Sequence, residues 1–270
     1  MSGDEAIIRL REVTKAFNGL TVLDAVSLDV QAGRTTVVIG PSGCGKSVLL
    51  KHMIGLLQPD KGEVFFHDRQ ISAMSERQMV EVRRRMGFLF QGGALFDSMT
   101  VRQNIVFPMT EHGIGTRRQQ DDRCKEVMSL VALEGYDNRF PEELSGGQRK
   151  RVALARAIVL NPEVVFYDEP TTGLDPIRAD LINELILKLQ NAIGATGVVV
   201  THDMASARKV GDRILMLHEG RFIADTTPDQ LEQIDNEVVQ RFVEGRANTD
   251  ELWQLLRGRA DGGSLPGSGL

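Results

Sequence analysis

Eight consecutive residues, Gly40-Pro41-Ser42-Gly43-Cys44-Gly45-Lys46-Ser47, join three glycines, a lysine and a hydroxyl directly after the apolar run Thr35 to Ile39. The spacing G-x-x-x-x-G-K-[ST], placed between a buried strand and a helix, is that of a phosphate-binding loop. Gly40, Gly43 and Gly45 permit backbone conformations barred to other residues and bring N–H groups against phosphate oxygens. The positive end of the following helix points at the same anion. Lys46 would reach the β- and γ-phosphates as a point charge. The Ser47 hydroxyl would complete the coordination of a Mg²⁺ that keeps several of its waters.

Further groups suited to phosphate chemistry stand at the ends of apolar runs. Val164 to Tyr167 leads into Asp168-Glu169, where Asp168 suits a water-mediated Mg²⁺ ligand and Glu169 would orient or deprotonate an attacking water. Gln91 follows the run Gly87 to Phe90, at the carboxyl end of a strand where open α/β sheets bind ligands, and can touch Mg²⁺ or that water. Of the five histidines, only His202 falls at such an exit, after Gly197 to Val200. Leu144-Ser145-Gly146-Gly147-Gln148 opens a strongly periodic helix at Arg149 to Ile158. A serine and two glycines at a helix start make a second phosphate site, although Lys46 already serves one nucleotide.

The elements that must hold these groups read as one large α/β core. Ile7 to Val13 and Val26 to Val30 alternate apolar with polar, as half-buried strands do, and form a small antiparallel sheet ahead of the phosphate-loop strand. Phe17 occupies the loop between them, before the turn Asn18-Gly19. It could stack on an adenine ring or pack in the core. Gly62 to Phe66 is a further strand. Ser75-Glu76-Arg77-Gln78 is a capping box for a short helix ending near Arg85. From Gly92 to about Ala155 strands give way to helical spacing such as Val127, Leu130 and Val131, which marks a helical insertion. Gly173-Leu174-Asp175-Pro176 turns into a long amphipathic helix carrying Ile177, Leu181, Ile182, Leu185 and Leu189, and Gly197 to Val200 is read as the last core strand. Glu219-Gly220 links two short strands.

Composition narrows the class. At 270 residues and 41 % hydrophobic content the chain can bury one sizeable core. No apolar run approaches the ~20 residues that cross a bilayer, and the start lacks a signal-peptide profile, so a cytosolic location is expected. Two cysteines, Cys44 and Cys124, are expected to stay unbridged. A net charge of −5 argues against nucleic acid as a general partner. Arg83-Arg84-Arg85 and Arg149-Lys150-Arg151 read as solvated helix faces.

Taken in order, Phe17, GPSGCGKS from Gly40, Gln91, LSGGQ from Leu144, VVFYDE from Val164, Asp175 and His202 resemble the ATP-binding-cassette family over roughly residues 6 to 243. The resemblance implies a P-loop, RecA-like α/β core with an antiparallel β-subdomain and an inserted α-helical subdomain. It also implies ATP and Mg²⁺ as cofactors and a head-to-tail homodimer. In that pairing Ser145, Gly146, Gly147 and Gln148 of one copy close over the nucleotide held by Lys46 of the other, with Asp175 across the seam. Glu169 is then the base and His202 a polarising contact. One GKS and one LSGGQ set the chain apart from two-cassette proteins of DNA repair or translation. Intact Glu169 and His202 set it apart from a non-hydrolysing regulator.

Phe90-Gln91-Gly92-Gly93-Ala94-Leu95-Phe96-Asp97-Ser98-Met99-Thr100-Val101, with Asn104 and Pro108, is similar to the Mla/Mce-type subgroup. That subgroup implies a cassette at the cytoplasmic face of the inner membrane. It would work under a permease for phospholipid or other hydrophobic cargo, with an MCE-domain lipid-binding protein and an accessory subunit. The alternative is a small polar-solute importer. Gln148 stands where many subgroup members have Met. Leu95, Phe96 and Met99 are expected to be exposed for a permease contact. Residues 1–245 are taken as the nucleotide-binding domain, with the helical lobe at about 92–155, and 246–270 as a C-terminal extension. There Leu252, Trp253, Leu255 and Leu256 are expected to clasp a second protomer.

Overall fold

The computed structural model describes residues 5–246. Strands β1 (Ala6–Phe17) and β2 (Leu20–Gln31) form a hairpin closed by Asn18 and Gly19 at φ 50° and 82°. Two central residues in the left-handed region match the twist of the flanking strands, which is why Asn-Gly suits the position. Phe17, expected in the loop, is instead the last residue of β1, because backbone pairing with Leu20 continues past the apolar alternation.

Chain order continues with β3 (Thr35–Ile39), α1 (Lys46–Met53), β4 (Lys61–Phe66), β5 (Arg69–Gln70), α2 (Glu76–Arg83) and β6 (Met86–Leu89). Helices α3 (Val101–Glu111), α4 (Arg117–Leu130) and α5 (Gly146–Ile158) follow, then β7 (Val164–Asp168), α6 (Pro176–Ile193), β8 (Thr196–Thr201), α7 (Met204–Val210), β9 (Arg213–His218), β10 (Arg221–Thr226) and α8 (Glu237–Glu244). One sheet is antiparallel, in order β2-β1-β4-β5; the other runs β10-β9-β3-β8-β7-β6. In the second sheet β9, β3, β8, β7 and β6 are parallel and only β10 is reversed. Gly197 to Val200 is therefore not the last core strand. β9 pairs with β3 on its other side, and its apolar Ile214 to Leu217 are buried.

Every residue of β3, β7 and β8 is buried, as parallel strands covered on both faces must be. Helix α1 lies between the sheets. Its Leu49, Leu50 and Met53 share one core with Leu10 and Phe66 of the antiparallel sheet and Val38, Phe166 and Val198 of the parallel one. Full burial of such side chains contributes roughly 1.5–3 kcal/mol each, so the helix behind the phosphate loop is fixed from both sides.

Between β6 and β7 the chain carries helices α3, α4 and α5 and, among the described residues, no strand, and α5 runs on to Ile158 against β6. Besides Ser75 with Gln78, capping boxes pair Thr100 with Gln103, Thr116 with Gln119 and Ser145 with Gln148. The turn before α3 is pinned by buried Asn104, whose Oδ1 accepts from Phe96 N (2.8 Å) and whose Nδ2 donates to Phe96 O, Met99 O and Thr100 O at 3.0–3.1 Å. Asn104→Leu leaves these backbone groups unpaired and is expected to cost roughly 1–3 kcal/mol. A lower urea midpoint at unchanged slope is the readout.

One surface expectation is corrected. The basic runs are not simply solvated: Arg83 donates to Ile54 O and Gly55 O, Arg85 pairs with Glu163, Arg149 donates to Leu144 O and Arg151 to Ala132 O. Long side chains that bury their stems and satisfy distant carbonyls cannot be told from solvated ones by spacing. On α6, Ile177 and Leu181 are 76 % and 59 % exposed, and the core face is Ile182, Ile186 and Leu189. Cys44 and Cys124 are unbridged. Among the described residues no helix is long and apolar enough to cross a membrane.

The chain divides between Leu231 and Glu232. In the second unit α8 is N-capped by Asn236 and ends at Gly245 in the left-handed conformation. The cluster Leu252, Trp253, Leu255 and Leu256 lies outside the described residues.

Candidate active site

The order β3-β8-β7-β6 sets four chain segments side by side at the carboxyl edge of the parallel sheet: the loop after β3, Thr201-His202 at β8, Asp168-Glu169 at β7 and Gln91 beyond β6. Gly40 has φ 151°, and a Cβ there would collide with the Leu217 carbonyl oxygen on β9. Only glycine lets the loop leave β3 so close to its neighbour. Gly45 at φ 107° precedes the first residue of α1. The Lys46 ammonium, almost fully buried, donates to Gly40 O (2.8 Å) and Pro41 O (3.0 Å) and stands 3.8 Å from Glu169 Oε1. Cys44 packs beneath the loop, where burial pushes its thiol pKa up.

Ser47 Oγ donates to Asp168 Oδ1 at 2.9 Å. Burial raises the Asp168 pKa, the Ser47 bond pulls it back, and the neighbouring Glu169 charge raises it further. A positive charge nearby would remove that cost. Two hard oxygen donors in contact fit a Mg²⁺ that keeps its remaining waters. Among the described residues no cage of three or more His, Cys, Asp or Glu side chains offers an alternative.

Glu169 is buried and holds φ 49°, a left-handed conformation that a non-glycine keeps only where its surroundings impose it. Its N–H donates to Val200 O on β8 (2.9 Å). Oε2 accepts from Thr172 Oγ1 (3.0 Å) and Thr201 Oγ1 (3.4 Å) and lies 2.9 Å from His202 Nδ1. The carboxylate is thus held by a lysine, two hydroxyls and an imidazole. Thr172 and Thr201 escape a reading of the sequence. Their signals were only the three-residue spacing from Glu169, where Thr172 N closes a turn on Glu169 O, and the place of Thr201 at a strand end.

A cavity of about 400 Å³ opens over this arrangement, lined by Ser42, Gly43, Gly45, Lys46, Ser47, Gln91, Glu169 and His202. Val22 and Val48 add apolar wall. Phe17 lies outside that lining, exposed, with the Lys15 ammonium 5.5 Å above its ring. Ser145, Gly147 and Gln148 line a different cavity, of about 370 Å³, with Arg178 and Leu181. Ser145 caps α5, while Gln148 closes the capping box and donates to the Tyr136 hydroxyl at 3.0 Å. Gly146 is the first residue of α5. Asp175 caps α6, accepting from Arg178 N at 3.1 Å. The chain therefore gathers its own phosphate loop with Asp168, Glu169, Gln91 and His202, and leaves the LSGGQ turn and Asp175 apart from them.

A family model described as ABC transporter matches residues 23–172. The chain belongs to the ABC transporter family. It is 40 % identical over 239 residues to the probable ribonucleotide transport ATP-binding protein mkl of Mycobacterium leprae, covering 88 % of this chain and 69 % of that protein. It is 35 % identical over 262 residues to the intermembrane phospholipid transport system ATP-binding protein MlaF of Escherichia coli K12, covering 97 % of each. Its fold matches a dimeric ATP-binding cassette solved in a post-hydrolysis state with ADP and Pi, at TM-score 0.76 and 33 % identity over 82 % of this chain and 98 % of that one. The cassette binds ATP and hydrolyses it as the ATPase subunit of a transporter.

Two features of the cassette go beyond its motifs. Lys150, within a run that reads as solvated, is 6 % exposed. Its ammonium donates to Gln91 O and lies 3.4 Å from Glu169 O. Burial lowers its pKa, against the upward pull of Asp168 and Glu169. A third cavity, of about 420 Å³, lies beside the loop after Gln91 and is lined by Phe88, Phe90, Phe96, Phe107 and Leu160 among others. Phe96 is 41 % exposed over Phe107, whereas Leu95 and Met99 are half-buried rather than exposed.

Proposed function

We propose that two copies of this cassette pair head to tail beneath a membrane permease, at the cytoplasmic face of the inner membrane, and power transport of phospholipid or another hydrophobic substrate. The observation that carries the pairing is the separation within one chain of the Lys46 cavity from the Ser145-Gly147 turn. Two sets of phosphate-binding groups that do not meet in one copy can meet between two. In this reading the nucleotide-binding domain runs to Gly245 with residues 92–155 as its helical lobe. An MCE-domain lipid-binding protein and an accessory subunit complete the assembly.

Within each composite site the phosphate loop and Lys46 hold the triphosphate, and Ser47 and Asp168 hold Mg²⁺, which neutralises phosphate charge when bound. Gln91 orients the attacking water or touches the cation. Glu169 accepts the proton of that water while Thr172 and Thr201 fix its carboxylate. His202 supports the same oxygen and polarises the transferred group. Ser145, Gly146, Gly147 and Gln148 of the second copy close the site, with Asp175 at the seam.

The hydrophobic cargo is supported by near-complete coverage of the phospholipid transport relative, since the ribonucleotide transport relative leaves about a third of its own length unmatched. Co-purification from detergent-solubilised membranes, followed by lipid analysis, tests this. Bound phospholipid supports the reading, and a lipid-free complex that retains a nucleotide or another polar solute moves it to the polar-solute alternative. The apolar cavity at Phe96 is where a permease element would seat. Phe96→Asp is expected to abolish co-purification with the permease while leaving ATP affinity unchanged. Full retention of the permease would return Phe96 to packing against Phe107.

A further inference from the structure

Helix α5 carries two cations that reach out of it to the same neighbouring loop. Lys150, one turn past the capping Ser145, spans from α5 to the Gln91 carbonyl and the Glu169 carbonyl. Farther along, Arg156 donates to Gly93 O (2.7 Å) and Ala94 O (2.8 Å). Gly93 and Ala94 hold φ 78° and 45°, a left-handed stretch of the loop where it meets Arg156. Lys150 is the only one of the two that also touches the β7 exit. Its ammonium is buried, so the bonds exchange little with water, and charge-assisted bonds in such surroundings are the strong kind.

A buried cation could be a mere strut, but the groups it joins have different duties. Gln91 and Glu169 face the chain's own nucleotide cavity. Ser145, at the start of the same helix, lines another cavity. We propose that Lys150 is a positioning residue that couples the two nucleotide sites: it carries the placement of the Ser145-Gly147 turn to the main chain of Gln91 and Glu169. This rests on the head-to-tail reading, in which that turn engages the second copy's nucleotide. Closure on one nucleotide then sets Gln91 and Glu169 over the other, and hydrolysis becomes cooperative in ATP.

The test uses the purified full chain and its Lys150→Met, Lys150→Gln and Lys150→Arg variants, read as ATPase activity against ATP concentration, fluorescent-nucleotide affinity and melting temperature. Wild type is expected to show a Hill coefficient between one and two, two being the limit for two sites. Lys150→Met, of similar length without donors, is expected to bring it to one. The same variant should lower kcat ~10- to 100-fold, the scale of misplacing a reacting group by about 1 Å, with nucleotide affinity nearly unchanged. Lys150→Arg, which keeps charge and donors, should recover most of both; Lys150→Gln, with a shorter donor, should recover less. A wild-type coefficient above one that Lys150→Met leaves unchanged overturns the coupling alone. Parallel loss of affinity, melting temperature and kcat in all three variants reduces Lys150 to a strut and overturns it as well. A wild-type coefficient of one overturns the coupling while leaving the head-to-tail reading standing, because two independent sites in one pair also give one; that reading fails only if mixed Lys46→Ala and Ser145→Arg proteins stay inactive and do not cross-link.

Discussion

Glu169→Gln is expected to bind ATP normally and to hydrolyse it ~10²- to 10⁴-fold more slowly, the usual contribution of a positioned base. The amide keeps the size of the carboxylate, and its oxygen can still accept from Thr172 and Thr201. What disappears is the capacity to take a proton from water and the negative charge 3.8 Å from Lys46. Losing that charge leaves Lys46 more available to phosphate, so affinity should hold or rise. With binding intact and turnover blocked, the ATP-bound pair should persist long enough to elute as a dimer in size-exclusion chromatography. Wild-type turnover in this variant would remove Glu169 from the catalytic role. Lost binding would mean that the substitution disturbed the strained turn at φ 49° rather than the chemistry.

Lys46→Ala and Ser145→Arg should each be inactive alone and should recover part of the ATPase activity when the two proteins are mixed. Lys46 supplies the buried cation of one cavity, and Ser145 opens the helix that lines another. In a head-to-tail pair a mixed dimer gathers both lesions into one composite site and leaves the other with neither. Ser145→Arg also removes a capping box, which costs ~1 kcal/mol of helix stability, so a melting curve should accompany the assay. Mixtures that stay inactive at every ratio mean either that both sites must fire together or that the pairing is wrong. Cross-linking of Ser145→Cys to Ser42→Cys separates these. Cys44 must first be replaced, because it is a free thiol two residues from Ser42.

Local chemistry was readable along the chain. The loop from Gly40 to Ser47, the Asn18-Gly19 hairpin and the Ser75 capping box depend on backbone freedom and on side chains two to four residues apart, and each is present in the fold. The apolar runs of β3, β7 and β8 were equally plain, because strands covered on both faces have no polar alternation. Periodicity placed the long helix α6 without fixing which part of its apolar stripe meets the core. A stripe at helical spacing says that some surface is apolar, not which part of it meets the core, and Ile177 and Leu181 stay exposed.

What the tertiary structure alone decided concerns meetings between distant segments. That Ser47 touches Asp168, 121 positions later, depends on β8 lying between β3 and β7, an order set by crossovers rather than by spacing. The same order brings Thr201 to Glu169 and keeps Ser145 away from Lys46. Burial of Lys150 follows from the packing of α5 beside the exits of β6 and β7. The residues on either side of it, Arg149 and Arg151, leave the helix in other directions and donate to Leu144 O and Ala132 O. The sequence by itself determined which groups can hold and cleave a phosphate anhydride, because that chemistry resides in residue types and short turns. The sheet decided which of those groups share one cavity and which line another, because only the packed order of strands converts separation along the chain into distance.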